Sequence, residues 1–122
     1  MELFARTLDH QGTCLERTGL TYSQAKLLWR LEPGDVLPLK DLARRIGVDP
    51  SNAAGVVRQL EDRGLVFSRR ADHDRRVRAI RLTGPGVRLR RQLVTCISHH
   101  PSIEALSSKR RDELLAILRE VA

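Results

Sequence analysis

Residues 39–82 constrain the fold most, because they predict two short helices joined by a tight turn and followed by a two-stranded ribbon. The first helix has its apolar residues at the spacing of one helical face: Leu39, Leu42, Ala43 and Ile46. Gly47 follows at the position of a helix C-cap, where a residue without a Cβ is favoured. This segment therefore predicts a short amphipathic helix with a defined end.

The second helix begins at Asp49-Pro50, an N-cap acid followed by proline at the first helical position, and it ends at Gly64. Its apolar face consists of Ala53, Val56, Val57 and Leu60. Two helices joined by a tight glycine-containing turn are typical of a helix-turn-helix. The strand-like segments 65–70 and 77–82 flank a charged turn, 71–76, and predict a β-ribbon behind this motif.

The net charge of +7 is concentrated in the same region. Between Lys40 and Arg91 the chain has 14 Lys and Arg residues against 6 Asp and Glu, whereas residues 1–39 and 92–122 are close to neutral. A basic excess confined to one structural unit is the electrostatic footprint of a protein that binds a polyanion. The alternative is a solvated basic surface that keeps the protein soluble.

The segments on either side predict further helices. Residues 1–18 carry a weak apolar stripe, and Thr21 with Gln24 has the pattern of a capping box that starts a helix reaching Leu31. The short apolar segment 36–38 is able to pair with the edge of the ribbon. The sequence therefore predicts two helices before the central motif, of which the second has the clearer start.

After the ribbon, Thr83 is expected to cap a helix that reaches about His100, and Ser107 or Ser108 is expected to cap a last helix. The predicted fold class is mainly α with a small β-ribbon. A winged helix-turn-helix lobe spans 20–86, and residues 1–19 and 87–122 form a helical dimerisation region. Amphipathic helices at both ends of so short a chain predict a homodimer.

Several classes of protein are disfavoured. No segment approaches the roughly 18 consecutive apolar residues of a membrane span, and the N-terminus lacks the pattern of an export signal. Cys14 and Cys96 do not predict a disulfide framework. Because an export signal is also missing, we expect a reducing, cytoplasmic location beside the nucleoid. A glycine-rich phosphate loop, a nucleophile elbow and paired carboxylates are all missing, which argues against an enzyme and gives no reason to expect a cofactor.

Five motifs occur in this order along the chain: Leu20-Thr21-x-x-Gln24, Leu39-x-x-Leu42-Ala43, Ser51 with Leu60-Glu61-x-x-Gly64-Leu65-Val66, Asp74-x-Arg76, and Leu82-Thr83-x-x-Gly86. Together they resemble the multiple antibiotic resistance regulator (MarR) family of winged-helix transcription factors. The resemblance implies a homodimer, joined through its first and last helices, that binds pseudo-palindromic double-stranded DNA as a repressor or an activator, of which we expect a repressor. It also implies a small, often aromatic, effector that binds between the dimer helices and the DNA-binding lobe and releases the DNA.

The face of the second helix opposite its apolar side carries the residues expected to enter the major groove: Ser51, Asn52, Ala54, Gly55 and Arg58. Asn52 is expected to read adenine, and Arg58 guanine or a phosphate. The alternative for Ser51 and Asn52 is a purely structural role in the helix cap. Glycine in a helix interior costs about 1 kcal/mol relative to alanine, so Gly55 predicts the close approach of a partner.

In the wing, the resemblance implies that Asp74 orients Arg76 into the minor groove, where a narrow A·T-rich groove has the negative potential to hold it. Further arginines are expected to contact phosphates: Arg69, Arg70, Arg75 and Arg78.

One group of residues suggests a second function. His10 and Cys14 are spaced i, i+4 on the first helix, Cys96 and His100 are spaced i, i+4 on the fifth, and His99 is adjacent. These soft ligands suit zinc or copper. The alternative has two small buried cysteines and a histidine pair at a helix C-terminus.

Two other functions therefore compete with a DNA-binding regulator. One is a metal- or thiol-responsive regulator of the same fold, including a cysteine-based peroxide sensor. The other is a winged-helix module that contacts protein or RNA.

Overall fold

The computed structural model describes residues 2–70, 77–99 and 107–121, and it describes side chains at 9–70, 77–99, 107–117 and 120. The helices are α1 (Glu2–Thr18), α2 (Tyr22–Arg30), α3 (Leu39–Ile46), α4 (Pro50–Asp62), α5 (Gly84–Ser98) and α6 (Ser108–Val121). The strands are β1 (Leu37–Pro38), β2 (Val66–Arg70) and β3 (Arg78–Leu82). The predicted fold class, mainly helical with a small antiparallel sheet, is confirmed.

Hydroxyl side chains start the helices where the sequence predicts. Thr21 Oγ1 accepts a hydrogen bond from the backbone N–H of Gln24 at 3.2 Å, and Gln24 Oε1 accepts one from the Thr21 N–H at 3.2 Å, which completes the capping box. Thr83 Oγ1 accepts from the Gly86 N–H at 3.0 Å at the start of α5. Of the two serines considered for the last helix, Ser107 forms the cap, since its Oγ accepts from the Arg110 N–H at 3.3 Å.

The sheet has the strand order β1-β3-β2 and is antiparallel throughout. Leu37 lies opposite Ile80, so the short segment before α3 pairs with the edge of the ribbon as predicted. In the ribbon, Val66 lies opposite Leu82 and Arg70 opposite Arg78. The predicted charged turn at 71–76 lies outside the described residues.

The core lies between α2, α3, α4, α5 and the sheet. Its largest fully buried side chains are Leu27, Leu28, Leu31, Leu42, Leu60, Ile80 and Leu93. Truncating one such leucine to alanine costs about 2–5 kcal/mol, because the transfer free energy is lost and a cavity is left. The helix-turn-helix pair is therefore seated on a shared apolar core.

The start of α5 packs directly on the chain that leads into β2. A Cβ placed on Gly86 would overlap the backbone carbonyl of Leu65. Thr83 reinforces this junction, since its backbone N–H donates to the Leu65 carbonyl at 3.1 Å and its hydroxyl donates to the Gly64 carbonyl at 2.6 Å. Glycine at position 86 is thus required by packing.

One sequence prediction is wrong: Cys14 of α1 and Cys96 of α5 form a disulfide bond. Their Cα atoms are 5.8 Å apart, within the range that a disulfide spans. A sequence separation of 82 residues carries no information about this distance, because α1 and α5 pack side by side. The disulfide ties these two helices covalently.

Within the described part of the chain, every helix falls short of the length and apolar character that crossing a bilayer requires.

Candidate nucleic-acid interface

The α4 helix presents two different faces. Ala53, Val57 and Leu60 are completely buried in the core. The residues predicted to enter a groove lie away from these three: Ser51, Asn52 and Arg58 are exposed, whereas Ala54 and Gly55 are half-buried. A Cβ built on Gly55 meets no heavy atom within 4 Å, so the packing described for this chain does not require glycine there.

The N-terminus of α4 is organised around the Asp49 carboxylate. One oxygen accepts hydrogen bonds from the Asn52 backbone N–H at 3.0 Å and from the Ser51 hydroxyl, and the other accepts from the Asn52 side-chain amide at 3.1 Å. These bonds, the Ser51 hydroxyl first, hold the pKa of Asp49 below its ordinary value of 3.8. Bidentate reading of adenine uses both amide atoms of asparagine, so Asn52 has to leave Asp49 to make that contact.

The arginines of the wing divide into two groups. Arg69 and Arg70 are exposed on β2. Arg78, in contrast, donates to Glu61 Oε1 at 3.0 Å and to Ser68 Oγ at 2.8 Å. Ser68 in turn donates to Glu61 Oε1 at 2.8 Å, so this triad fastens the ribbon to α4.

Three of the predicted wing residues, Asp74, Arg75 and Arg76, lie outside the described residues.

The outer face of the ribbon carries a pair that sequence reasoning missed. Phe67 is 44% exposed, and the guanidinium carbon of Arg81 lies 5.1 Å from the centre of its ring. The two residues are directly opposite in the strand register, so the pair is a cross-strand cation–π contact. The alternation of side chains along β2 and the pairing register of the ribbon would have predicted that Phe67 and Arg81 lie side by side on the outer face.

A polar network that the sequence does not reveal joins α2 to α4. Gln24 is 7% exposed, and its side-chain amide donates to Gln59 Oε1 at 3.0 Å. Arg63 donates to Gln24 Oε1 at 3.1 Å and to the Gly19 carbonyl at 2.9 Å. Gln24, which completes the capping box of α2, therefore also holds the C-terminal half of α4 through Gln59 and Arg63.

Another arginine of the basic region joins α5 to α2. Arg90 donates through Nε to the Leu28 carbonyl at 3.0 Å and through a terminal nitrogen to the Trp29 carbonyl at 2.9 Å. These are carbonyls of the last turn of α2, which lack partners within the helix. Together with Arg63 and Arg78, Arg90 shows that part of the basic surplus serves the fold.

The predicted soft-ligand cluster is partly assembled. His10, Cys14 and Cys96 bring their ligand atoms within 4.8 Å of one another. His99 lines a cavity beside them, and His100 lies outside the described residues. Because the two sulfur atoms are bonded to each other, they are not thiolates in this structure and the predicted soft-metal ligand set is not formed.

A separate cavity of about 310 Å³ lies between α1, α2 and α5. Its apolar lining includes Leu15, Trp29 and Leu93, and Lys26 and Arg30 also line it. An apolar site with a few cationic groups suits a small aromatic molecule that carries a negative charge.

The chain is similar in sequence and in structure to known transcriptional regulators. Residues 20–77 match the model of the MarR family. The chain is 33% identical over 69 residues to the HTH-type transcriptional regulator YdgJ of Bacillus subtilis, a match that spans 57% of this chain and 42% of YdgJ. It is 26% identical to the transcriptional repressor MprA of Escherichia coli K12, over 99% of this chain and 71% of MprA.

Among solved structures, the chain is similar to CouR of Rhodococcus jostii RHA1 bound to p-coumaroyl-CoA, with a TM-score of 0.76 and 26% identity over 98% of this chain and 86% of CouR. It is also similar to the transcriptional repressor CouR bound to a 23-mer DNA duplex, with a TM-score of 0.79 and 25% identity over 98% of this chain and 87% of CouR. The similarity to these structures covers nearly the whole chain.

Proposed function

Because this chain belongs to the MarR family of transcriptional regulators, we propose that it is a repressor that binds double-stranded DNA as a homodimer. In this proposal α4 enters the major groove and the ribbon follows the neighbouring backbone into the minor groove. A repressor of this kind works in the compartment that holds the chromosome, in line with the cytoplasmic location expected from the sequence.

The observation that carries the proposal is the two-sided character of α4. Its buried side is anchored by fully buried core residues, while the opposite side offers Asn52 and Arg58 to solvent around the bare surface of Gly55. A major groove accepts an α-helix whose backbone comes close. Specificity then comes from Asn52 and Arg58, and the absence of a side chain at Gly55 permits the close approach.

The ribbon supplies the second part of the interface. Arg69 and Arg70 are exposed and are proposed to contact phosphates. Asp74, Arg75 and Arg76 are proposed to act at the tip of the wing, as the family resemblance implies. Arg78 is instead proposed to hold the wing at a fixed angle to α4, since Glu61 and Ser68 occupy its guanidinium.

The terminal helices are proposed to form the dimer. On α6, Leu115 is 50% exposed and Ile117 is 57% exposed. The two residues are two positions apart and lie on different sides of α6, and we propose that helices of the partner cover both. Two-fold symmetry then places the half-sites of the operator about 10 bp apart.

The 310 Å³ cavity between α1, α2 and α5 is proposed as the effector site. It adjoins both the proposed dimer helix α1 and the core of the DNA-binding lobe, so a ligand there can shift one relative to the other. CouR, one of the similar proteins, has been solved with p-coumaroyl-CoA. Trp29 with Lys26 and Arg30 favours an aromatic carboxylate or thioester as the class of ligand for this chain.

The test is selection of duplexes from a random DNA pool, followed by fluorescence anisotropy titration of the selected site. We expect a Kd of about 10 nM or tighter at physiological salt and an affinity that falls steeply as salt rises. Arg58→Ala should weaken binding to the selected site at least tenfold. Arg110→Ala on α6 removes the same charge outside the DNA-binding lobe and should change the affinity less than twofold. Failure to enrich any sequence, or equal effects of the two substitutions, would contradict the proposal.

The same titration separates the competing functions. A module that binds RNA should bind a single-stranded RNA at least as tightly as the selected duplex. A module that contacts protein should bind neither nucleic acid with a salt-dependent affinity.

A further inference from the structure

A cavity of about 540 Å³ opens beside the disulfide, between α1 and α5. Arg17 and Arg91 line it from the two helices, together with Thr18, Thr95 and His99. None of its described lining residues is acidic. A cleft lined by charges of one sign raises the local concentration of counter-ions, so this cavity favours an anionic ligand.

The two sulfur atoms of the disulfide differ in accessibility. Cys14 is completely buried, whereas Cys96 is half-buried and lines the cavity. A thiolate attacks a disulfide at the sulfur it is able to reach. An incoming thiolate in the cavity is therefore directed to Cys96, and Cys14 becomes the leaving group.

His10 faces the sulfur that would leave. Its Nε2 lies 2.7 Å from the Cys96 carbonyl oxygen, which can only accept, so Nε2 carries the proton. The same nitrogen lies 3.7 Å from Cys14 Sγ. This N–H donates to the Cys96 carbonyl, and a small rotation of the ring would bring it to Cys14 Sγ as negative charge forms there. A stabilised thiolate is a better leaving group.

We propose that this cavity binds an anionic low-molecular-weight thiol and directs it onto Cys96 to open the disulfide. The thiolate sulfur of the ligand forms a bond to Cys96 Sγ as the Cys14–Cys96 bond breaks, and the electron pair of that bond leaves on Cys14. The thiolate of a second ligand molecule then attacks the ligand sulfur of this mixed disulfide, and Cys96 leaves as a thiolate. The products are two protein thiols and the ligand's own disulfide, so the ligand is oxidised by two electrons and the protein reduced by two.

This reaction makes Cys96 a site of reversible modification and Cys14 its buried partner. Opening the bond removes the only covalent tie between α1 and α5 in the described chain. The proposal does not depend on DNA binding, because no step involves DNA.

The first test compares three small thiols as reductants of the oxidised protein: 3-mercaptopropionate, which is anionic, 2-mercaptoethanol, which is neutral, and cysteamine, which is cationic. Samples are quenched with acid and alkylated, and the number of alkylated protein thiols is read by mass spectrometry. The rate of reduction by each thiol is then divided by the rate at which the same thiol reduces a neutral small disulfide. We expect the normalised rate for mercaptopropionate to exceed that for cysteamine about tenfold, and the preference to shrink as salt rises.

A double substitution tests whether the cavity causes this preference. Arg17→Ala with Arg91→Ala should reduce the ratio to near one, while Arg110→Ala should leave it unchanged. A ratio near one for the unsubstituted protein, or a ratio that survives the double substitution, would overturn the proposal.

The second test locates the reacting sulfur with single-cysteine variants. Cys14→Ser leaves Cys96 as the only thiol, and Cys96→Ser leaves Cys14. On exposure to glutathione disulfide we expect Cys96 to acquire one glutathionyl group about tenfold faster than Cys14, because Cys14 is buried. Faster reaction at Cys14 would refute the assigned direction of attack, and the thiol comparison on the unsubstituted protein stands even if one variant fails to fold.

Discussion

Gly55→Ala is the substitution that most directly separates folding from DNA binding in this protein. Gly55 lies inside α4, well within its bounds at Pro50 and Asp62. Alanine is favoured over glycine in a helix interior by about 0.5–1 kcal/mol, because glycine loses more conformational freedom on folding. The added methyl group meets nothing within 4 Å, so no clash offsets this gain.

We therefore expect Gly55→Ala to raise the free energy of unfolding by about 0.5–1 kcal/mol, measured by urea denaturation followed by circular dichroism. For a chain of this size the melting temperature should rise by roughly 2–5 °C. In the proposed complex the same methyl group lies between α4 and the floor of the major groove. The affinity for the selected duplex should fall about tenfold, which corresponds to about 1.4 kcal/mol.

Gly12→Ala is the matched control, because Gly12 is also inside a helix and its Cβ also meets nothing within 4 Å. It should give a similar gain in stability with less than a twofold change in DNA affinity. If Gly55→Ala stabilises the protein and binds DNA as tightly as before, close approach of α4 at this point is refuted. If Gly55→Ala destabilises the protein, the claim that a methyl group at position 55 meets no other atom of the chain is refuted.

Three further predictions concern stability and titration. Gly86→Ala should lower the free energy of unfolding by about 2 kcal/mol or more in a urea titration, because its methyl group would overlap the backbone carbonyl that precedes β2. Arg90→Ala should cost about 2 kcal/mol in the same assay, since two carbonyls lose a charged donor, while Arg88→Ala at an exposed site should cost less than about 0.5 kcal/mol. The pKa of Asp49, followed by NMR of its carboxyl carbon, should lie below 3.8 and rise in Ser51→Ala. Since folding lowers this pKa, the cap's contribution is complete above pH 3.8 and is lost as the pH falls through the folded value.

Sequence reasoning predicted the helices of the central motif and the ribbon because their signals are local. Apolar spacing marked α3 and α4, Asp49 and Thr83 marked helix starts, and the glycine at 47 marked a helix end with φ of 72°. Each of these signals acts between residues a few positions apart, so the chain around them is enough to interpret them. The end of α5 was placed only to within two residues, because no strong terminating signal acts before Pro101.

The location of the candidate interface could be predicted from the sequence, but the role of each arginine in it could not. The basic region and the solvent face of α4 follow from charge count and helical period. The roles of the individual arginines do not follow from these patterns. A charge count does not distinguish Arg70, which is exposed, from Arg78, which forms a salt bridge with Glu61. That distinction depends on the packing of the ribbon against α4.

The order of the helices, their caps and the region of positive charge could all be predicted from the amino-acid sequence, because periodicity, capping and charge depend on neighbouring residues. The bond between Cys14 and Cys96, the hydrogen bonds from Arg90 to the last carbonyls of α2, and the burial of Gln24 between helices depend on the tertiary fold. These contacts join positions far apart in the chain, and only helix packing brings such positions within bonding distance. The same packing changed two cysteines from predicted free thiols into one covalent bond.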